Sequence, residues 1–297
     1  MPWLQVKVAT NPEYTQAVED ALTAAGAASV TLEGADESLV LEPAPGETPL
    51  WGTTRVIGLF DDSIGRGAVL DALAGLGEEA AAEPVFEQLP DREWSRVWLE
   101  DWAPLRFGRH LWVAPHEATV DDPAATVIRL DPGVAFGTGT HATTALCLEW
   151  LTERELGGAR VLDFGCGSGV LAIAALRLGA ARAHGIDIDP QAVEASATNA
   201  DDNGVGERLT SAVGDAPEGG PYDVILANVL AGPLIEVAPA LAACHNPGGH
   251  IALAGILSDQ TQSVIEAYQQ AGYEVTVSAE REGWSLVTGY RRTHATA

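Results

Sequence analysis

The chain has 297 residues, a length that suits about two domains better than a single core. Hydrophobic residues make up 46% and charged residues 20%, which excludes wholesale disorder. Acidic residues outnumber basic ones by 42 to 16, giving a formal net charge of -26. A field of that sign repels phosphate backbones, so direct nucleic-acid binding is disfavoured and a basic or amine-rich partner fits better.

Cys147, Cys166 and Cys244 are the only cysteines, and none forms a C-x-x-C pair. This argues against a disulfide framework or a thiolate zinc site. The opening Met1-Pro-Trp-Leu-Gln-Val-Lys-Val8 alternates like a strand and lacks the apolar core of a signal peptide. No apolar run approaches the roughly 18 residues a spanning helix needs. A cytoplasmic protein with no membrane partner and no metal is expected, and nothing requires more than a monomer.

In chain order, Trp3–Val8 reads as a strand and Pro12–Ala25 as a helix stopped at Gly26. Ser29–Leu32 is a strand, followed by a proline-rich connection through Pro43, Pro45 and Pro49. Arg55–Phe60 is a strand, Ala68–Leu76 a helix and Val85–Leu89 a strand. This β-α-β-β-α-β order predicts a small α+β ferredoxin-like domain over residues 1–90. Residues 91–104 predict a linker helix, with Trp94, Trp98 and Trp102 at i, i+4 and i+8 on one face. That stripe packs the helix against a domain, or also contributes a binding surface.

The second domain is expected over residues 105–297. Arg106–Ala114 and Thr126–Leu130 read as strands, and the segment after them opens a helix. Strands at Val161–Asp163, Ala183–Asp187, Leu209–Val213, Val224–Ala227 and His250–Ala254 then alternate with helices. These helices cover Val170–Leu178, Pro190–Asn203, Pro233–Cys244 and Asp259–Ala271. Such a rhythm demands a parallel sheet with helices on both faces. Tyr273–Ala279 and Ser285–Tyr290, joined around Gly283, should end it as an antiparallel hairpin.

The strongest local signal is Val161-Leu-Asp-Phe-Gly-Cys-Gly-Ser-Gly169, a strand running through a glycine turn into an apolar helix. Glycines there let the backbone pass close to a nucleoside-type ligand. A dinucleotide fingerprint G-x-G-x-x-G wants its third glycine at position 170, which is Val170. No lysine follows the turn, so a phosphate loop fails, and Cys166 in the minus-two position excludes a G-x-S-x-G elbow at Ser168. With Asp163 suiting a cationic amino-acid portion, the favoured ligand is S-adenosyl-L-methionine.

Asp187, at the tip of the next strand, is positioned to accept hydrogen bonds from both ribose hydroxyls. Asp189 reads as a helix N-cap before Pro190. Asp215 stays open between an adenine contact and a solvated loop carboxylate. Asn228 ends a buried strand, where its side-chain oxygen can accept from an attacking N–H and aim the nitrogen lone pair at the methyl. The Val229 and Leu230 carbonyls can assist. The competing reading is a turn asparagine satisfying local backbone. The glycine- and threonine-rich segment Asp131–Thr144 either covers the ligand or caps a helix, and its His141 is a hydrogen-bonding residue rather than a metal ligand.

Several segments together resemble the PrmA family, bacterial methyltransferases of ribosomal large-subunit protein eleven. They are D-P-G-V-A-F-G-T-G-T-H-A-T-T from Asp131, V-L-D-F-G-C-G-S-G-V-L-A-I-A-A from Val161, G-I-D-I-D-P-Q-A from Gly185 and A-N-V-L-A-G-P-L from Ala227. M-P-W-L-Q-V at the start and P-G-E-T-P-L-W over Pro45–Trp51 match too. The family often has N-I-L-A where Asn228-Val-Leu-Ala231 stands, a change of one methylene.

The resemblance implies an α/β fold, a class I S-adenosylmethionine-dependent methyltransferase domain with a Rossmann-like parallel sheet ending in an antiparallel hairpin. It implies that Thr144, Gly165, Asp187 and Asn228 bind the cofactor and that the N-terminal domain docks the ribosomal protein. It also implies trimethylation of amines, at lysine side chains and the N-terminal amine. Two other readings compete. One is an amine methyltransferase acting on another protein, a nucleobase or a small molecule, although N-P-P-Y is replaced here by Asn228-Val-Leu-Ala231. The other is a non-catalytic module that keeps the cofactor fold.

Overall fold

The computed structural model describes residues 3–35, 53–61, 64–76, 83–89, 103–130, 139–217 and 219–293. The chain divides into two compact units, Met1–Val97 and Trp98–Ala297. The expected linker helix with its tryptophan stripe lies outside the described residues over 91–102, as do Met1, Pro2 and the Pro45–Trp51 motif.

In the first unit, β1 (Trp3–Thr10) leads through a short 3-10 turn to α1 (Thr15–Ala24). β2 (Ser29–Gly34), β3 (Thr54–Asp61), α2 (Arg66–Ala74) and β4 (Val85–Leu89) follow. The sheet runs β2-β3-β1-β4 with every pair antiparallel, the ferredoxin-like arrangement expected from the element order. Period-2 alternation sends Leu4, Val6 and Val8 of β1 and Val56 and Phe60 of β3 inward. They meet Val18 and Leu22 of α1 and Val69 and Leu73 of α2 in one core. Where a helix was expected from Pro12, the first turn is 3-10 over Pro12–Tyr14 and the α-helix begins at Thr15.

The second unit opens with β5 (Leu105–Phe107), β6 (Leu111–Ala114) and β7 (Thr126–Arg129), a small three-stranded sheet. The single strand expected over Arg106–Ala114 is in fact a hairpin, because Gly108 takes φ +57 and turns the chain. α3 (Ala142–Thr152) follows, then β8 (Arg160–Phe164), α4 (Val170–Arg177), β9 (Arg182–Asp187), α5 (Pro190–Asp202), β10 (Leu209–Val213) and β11 (Tyr222–Asn228). The chain continues through α6 (Ala231–Ala243), β12 (His245–Leu257), α7 (Thr261–Gln270), β13 (Tyr273–Arg281) and β14 (Trp284–Arg291).

The large sheet has the order β10-β9-β8-β11-β12-β14-β13. Pairs from β10 to β12 are parallel, and β14 enters antiparallel between β12 and β13. This is the class I methyltransferase architecture. β12 begins five residues before the expected His250, since Pro247-Gly-Gly249 forms an irregularity inside the strand rather than a turn before it. α6 begins at Ala231 instead of Pro233, because a proline is tolerated in a first helical turn.

The sheet has an apolar core on each face, and strand periodicity sorts the residues between them. Val161 of β8 and Val224 and Leu226 of β11 pack with Leu148 of α3 and Ile173 of α4. Leu162, Ile225 and Ala227 point the other way, toward Leu234 and Leu241 of α6 and Tyr268 of α7. With both faces covered, the strand edges are left for chemistry. β8, β9 and β11 end side by side at the carboxyl edge, the location of ligand sites in open α/β sheets.

Candidate active site

The turn after β8 is built from left-handed backbone. Gly165, Gly167 and Gly169 have φ of +72, +52 and +77, a region that side chains penalise. Crowding adds a second reason for glycine: a Cβ on Gly165 would overlap Val229 Cγ1, and one on Gly169 would lie 2.8 Å from Ser196 Cβ. The turn is tied down by Gly165 and Cys166 N–H groups donating to the Ile186 carbonyl at 2.8 and 3.0 Å. Asn199 of α5 donates its side-chain N–H to the Ser168 carbonyl at 2.9 Å.

Asp163, at the penultimate position of β8, is fully buried, and its Oδ2 accepts the Ala172 N–H at 3.0 Å in the first turn of α4. Its Oδ1 has no hydrogen-bond partner. Burial pushes its pKa up to about 7, the Ala172 N–H opposes that rise, and the nearby Asp187 charge adds to it. An unpartnered carboxylate oxygen beneath a glycine turn suits a ligand with a cationic end.

Asp187 closes β9, and both its oxygens hold backbone. Oδ2 accepts from Gly167 N–H at 2.8 Å and Oδ1 from Asp189 N–H at 3.0 Å. Each carboxylate oxygen keeps a further lone-pair direction for a hydroxyl donor. Asp189 is the N-cap of α5, accepting from Gln191 N–H at 2.8 Å ahead of Pro190. Asp215 is exposed in the bend after β10.

Asn228 closes β11, opposite Ala254 of β12. Its Nδ2 donates to Thr144 Oγ1 at 3.2 Å. Thr144 is buried in the first turn of α3, whose N-cap is His141: the imidazole Nδ1 accepts the Thr143 N–H and lies 2.8 Å from Thr143 Oγ1. The His141 ring meets Trp284 edge-on, with centroids 5.1 Å apart. Residues 131–138 of the glycine- and threonine-rich segment, expected to cover the ligand or to cap a helix, lie outside the described residues.

The four sequence-selected positions therefore form one arc. Thr144 bonds Asn228, Val229 follows Asn228 and closes on Gly165, and the glycine turn bonds Asp187. Sequence reasoning missed several residues around this arc. Gly255 has φ +81, and a Cβ there would overlap the Val229 carbonyl, so β12 can pass the Asn228 turn only with glycine. A glycine inside an apolar strand was the available signal. Ile188 (75% exposed), Val213 (56%) and Leu230 (42%) leave apolar surface at the ends of β9, β10 and β11. Val213 is directly opposite Asp187 in the ladder. Such surface suits a flat heterocycle and the aliphatic stem of a substrate.

The thiols are not nucleophiles: burial raises the Cys147 and Cys166 pKa values far above the reactive range, and Asp163 reinforces this. Among the described residues no group of three or more His, Cys, Asp or Glu side chains can hold a metal. None of their helices is long and apolar enough to cross a membrane.

Known proteins resemble this chain over nearly its whole length. The family model for ribosomal protein L11 methyltransferase matches residues 2–292. The L11 methyltransferase of Sodalis glossinidius is 50% identical over 299 residues, covering 98% of this chain and all of that protein. That of Serratia proteamaculans is 49% identical, again with 98% and 100% coverage. A crystal structure of the ribosomal protein L11 methylase from Lactobacillus delbrueckii subsp. bulgaricus superimposes with a TM-score of 0.60 at 28% identity. It covers 65% of this chain and 100% of that one.

Proposed function

The chain belongs to the ribosomal protein L11 methyltransferase family, and we propose that it moves methyl groups from S-adenosyl-L-methionine to amines of ribosomal protein L11. The amines are lysine side chains and the N-terminal amine, carried through to trimethylated products. The arc from Thr144 through Asn228 and Gly165 to Asp187 carries the reading, because it sets ligand-holding and nitrogen-orienting groups side by side.

S-adenosyl-L-methionine fits the residues present: Asp187 for the ribose hydroxyls, the glycine turn beneath it, Asp163 on the cationic side and apolar Ile188 and Val213 for the adenine. When bound, it supplies a methyl group already activated on sulfur. The protein's work is then to align and desolvate. Thr144 occupies the Asn228 Nδ2, which leaves Oδ1 as an acceptor for the substrate N–H. Held that way, the amine points its lone pair at the methyl carbon. Bound there, the cofactor would give up its methyl group to that lone pair and leave as a neutral thioether.

A lysine ammonium, with a pKa of about 10.4, must first release a proton to solvent. Apolar surface around Leu230 lowers that pKa by disfavouring the charged form, so no dedicated strong base is needed. The domain over residues 1–90 docks the ribosomal protein, and the segment 91–104 keeps its amines at high effective concentration near the catalytic domain. The protein acts as a cytoplasmic monomer without touching nucleic acid.

Intact-mass spectrometry of ribosomal protein L11 incubated with this chain and the cofactor tests the assignment. Mass gains in single-methyl steps ending at multiples of three are expected. Cofactor binding without any gain would overturn the substrate.

A further inference from the structure

The opposite edge of the large sheet carries a pocket of its own. Its lining includes Arg160, Arg182, Arg208, His184, Thr210 and Tyr222, around a volume of about 160 Å³. These residues sit at the starts of β8, β9 and β11 and at the entry to β10. A strand of five residues spans roughly 16 Å, so the pocket is separated from the methyl-transfer site by the full depth of the sheet.

The charge here runs against the rest of the molecule. The chain has only 16 basic residues against 42 acidic ones, yet three arginines share this pocket. Arg160 and Arg182 are direct partners in the β8–β9 ladder, a like-charge placement that costs stability unless something negative lies between. Among the described residues, the ion pairs go to other cations and none involves these three. The adjacent Asp223 is already committed to holding the fold. Its Oδ2 accepts the Arg160 backbone N–H at 2.9 Å, and its Oδ1 accepts from Asn246 at 2.7 Å.

Two of the guanidinium groups are also held in place. Arg160 Nη1 donates to the Gly220 carbonyl at 3.1 Å, with its head 5.7 Å from the Tyr222 ring centroid. Arg208 Nη1 donates to the Leu176 and Ala180 carbonyls at 3.3 and 3.0 Å. An arginine has five N–H donors, so each keeps others for a ligand. His184 Nδ1 is paired with the Tyr222 hydroxyl at 2.7 Å, which fixes the ring and leaves Nε2.

We propose that this pocket binds a small phosphate-bearing anion at a site distinct from the methyl-transfer centre. Three planar guanidinium forks match the several oxygens of a phosphate dianion, where a lone carboxylate would need only one. The volume admits one phosphate group, and the net charge of -26 opposes a polyanion such as nucleic acid. Inorganic phosphate and a small phosphomonoester offer the same chemistry.

Isothermal titration of the full chain with inorganic phosphate, at ionic strength held constant with sodium chloride, tests this. Arg182→Gln is the main variant, because the Arg182 side chain holds no other part of the fold in a described hydrogen bond. Phosphate should bind the wild-type chain and lose roughly tenfold or more in affinity in Arg182→Gln, a fall of at least 1.4 kcal/mol. Cofactor affinity should stay unchanged. Arg182→Lys, which keeps the charge and loses the fork, should fall between the two and serves if Arg182→Gln does not fold.

Ribose 5-phosphate binding at least tenfold tighter than phosphate would assign the site to a phosphomonoester, and equal binding to free phosphate. No binding by the wild-type chain, or equal phosphate affinity in wild type and both variants, would overturn the proposal. So would a short oligonucleotide that binds the same residues more tightly than either small anion.

Discussion

Asn228 and Thr144 are 84 positions apart in sequence, yet their side chains meet at 3.2 Å, the amide Nδ2 donating to the threonine Oγ1. The bond joins the last residue of β11 to the first turn of α3. With its nitrogen engaged, the amide cannot rotate freely, and its oxygen keeps one direction. The two residues therefore act as a unit in the proposed reaction.

Replacing Asn228 with alanine removes the acceptor proposed to orient the amine. kcat should fall by about 100-fold or more, as for loss of a positioned polar group in other active sites, with cofactor affinity much less affected. Thr144→Val keeps the shape of the side chain and removes only the partner of the amide. It should lower kcat by roughly tenfold, and the double variant should be little worse than Asn228→Ala alone. Equal and additive losses, or a loss confined to cofactor affinity, would show that the residues do not orient the amine together.

Gly165→Ala meets two obstacles at once: a backbone φ of +72 and the Val229 side chain in the space of the new methyl. The strain alone costs about 1 kcal/mol, and the overlap must push Val229 and with it Asn228. Cofactor binding should become undetectable by titration while the chain stays folded. Gly255→Ala should disturb the same turn from the other side, through the Val229 carbonyl. If cofactor bound both variants normally, the turn would not be the ligand's platform.

Most of the fold was legible because both faces of the sheet are buried. The apolar runs of β8 and β11 and the glycine and proline punctuation located most of the described elements to within a few residues. The errors fell where turn residues carry other duties: Gly108 makes a hairpin inside an apparent strand, and Pro247 to Gly249 form an irregularity inside β12. The strand-tip placement of Asp187 and Asn228 could be read from the sequence. The hydrogen bond between Asn228 and Thr144 could not, nor could the pinning of the glycine turn by Asp187 and Asn199. Those contacts depend on which strand ends become neighbours. The arginine pocket was hidden for the same reason, since its members come from four separate segments.

Asp187→Asn tests a residue with one observed task and one proposed task. Its two oxygens now accept from Gly167 and Asp189 N–H groups, and an amide can satisfy only one of them while its NH₂ faces the other. Both the turn and the ribose contact should suffer. Cofactor affinity should drop at least tenfold, with a loss of about 1–3 kcal/mol in stability measured by denaturant unfolding without cofactor. A stability loss with unchanged cofactor affinity would leave Asp187 a purely structural residue.

Deleting residues 1–90 tests the proposed docking role of the first domain. The large sheet has its own two cores, and among the described residues none of their members comes from the first unit. S-adenosyl-L-methionine should still bind within about twofold of the full chain, well under the tenfold worth 1.4 kcal/mol. Methylation of ribosomal protein L11 should disappear. Retained methylation would remove the docking role from the N-terminal domain.

The buried Asp163 makes stability depend on pH in a direction opposite to most carboxylates. Burial raises its folded-state pKa from 3.8 to about 7, with Asp187 adding to the shift and the Ala172 N–H opposing it. Between those values the folded chain holds a proton that the unfolded chain has lost. Its contribution to stability therefore falls as pH rises through the window, by up to about 1.4 kcal/mol per pH unit. His245 works the other way: burial lowers its pKa from 6.5 to about 4, so the unfolded chain takes up a proton first and stability falls as pH drops. The two slopes oppose each other from about pH 4 to 6.5, which masks Asp163 in the wild-type profile. Asp163→Asn removes the titration while its side-chain oxygen can still accept the Ala172 N–H. Measured without cofactor, the melting temperature of the variant minus that of wild type should increase from pH 5 to pH 8. A difference that stays constant across that range would mean Asp163 is ionised throughout, with a partner for the oxygen that otherwise has none.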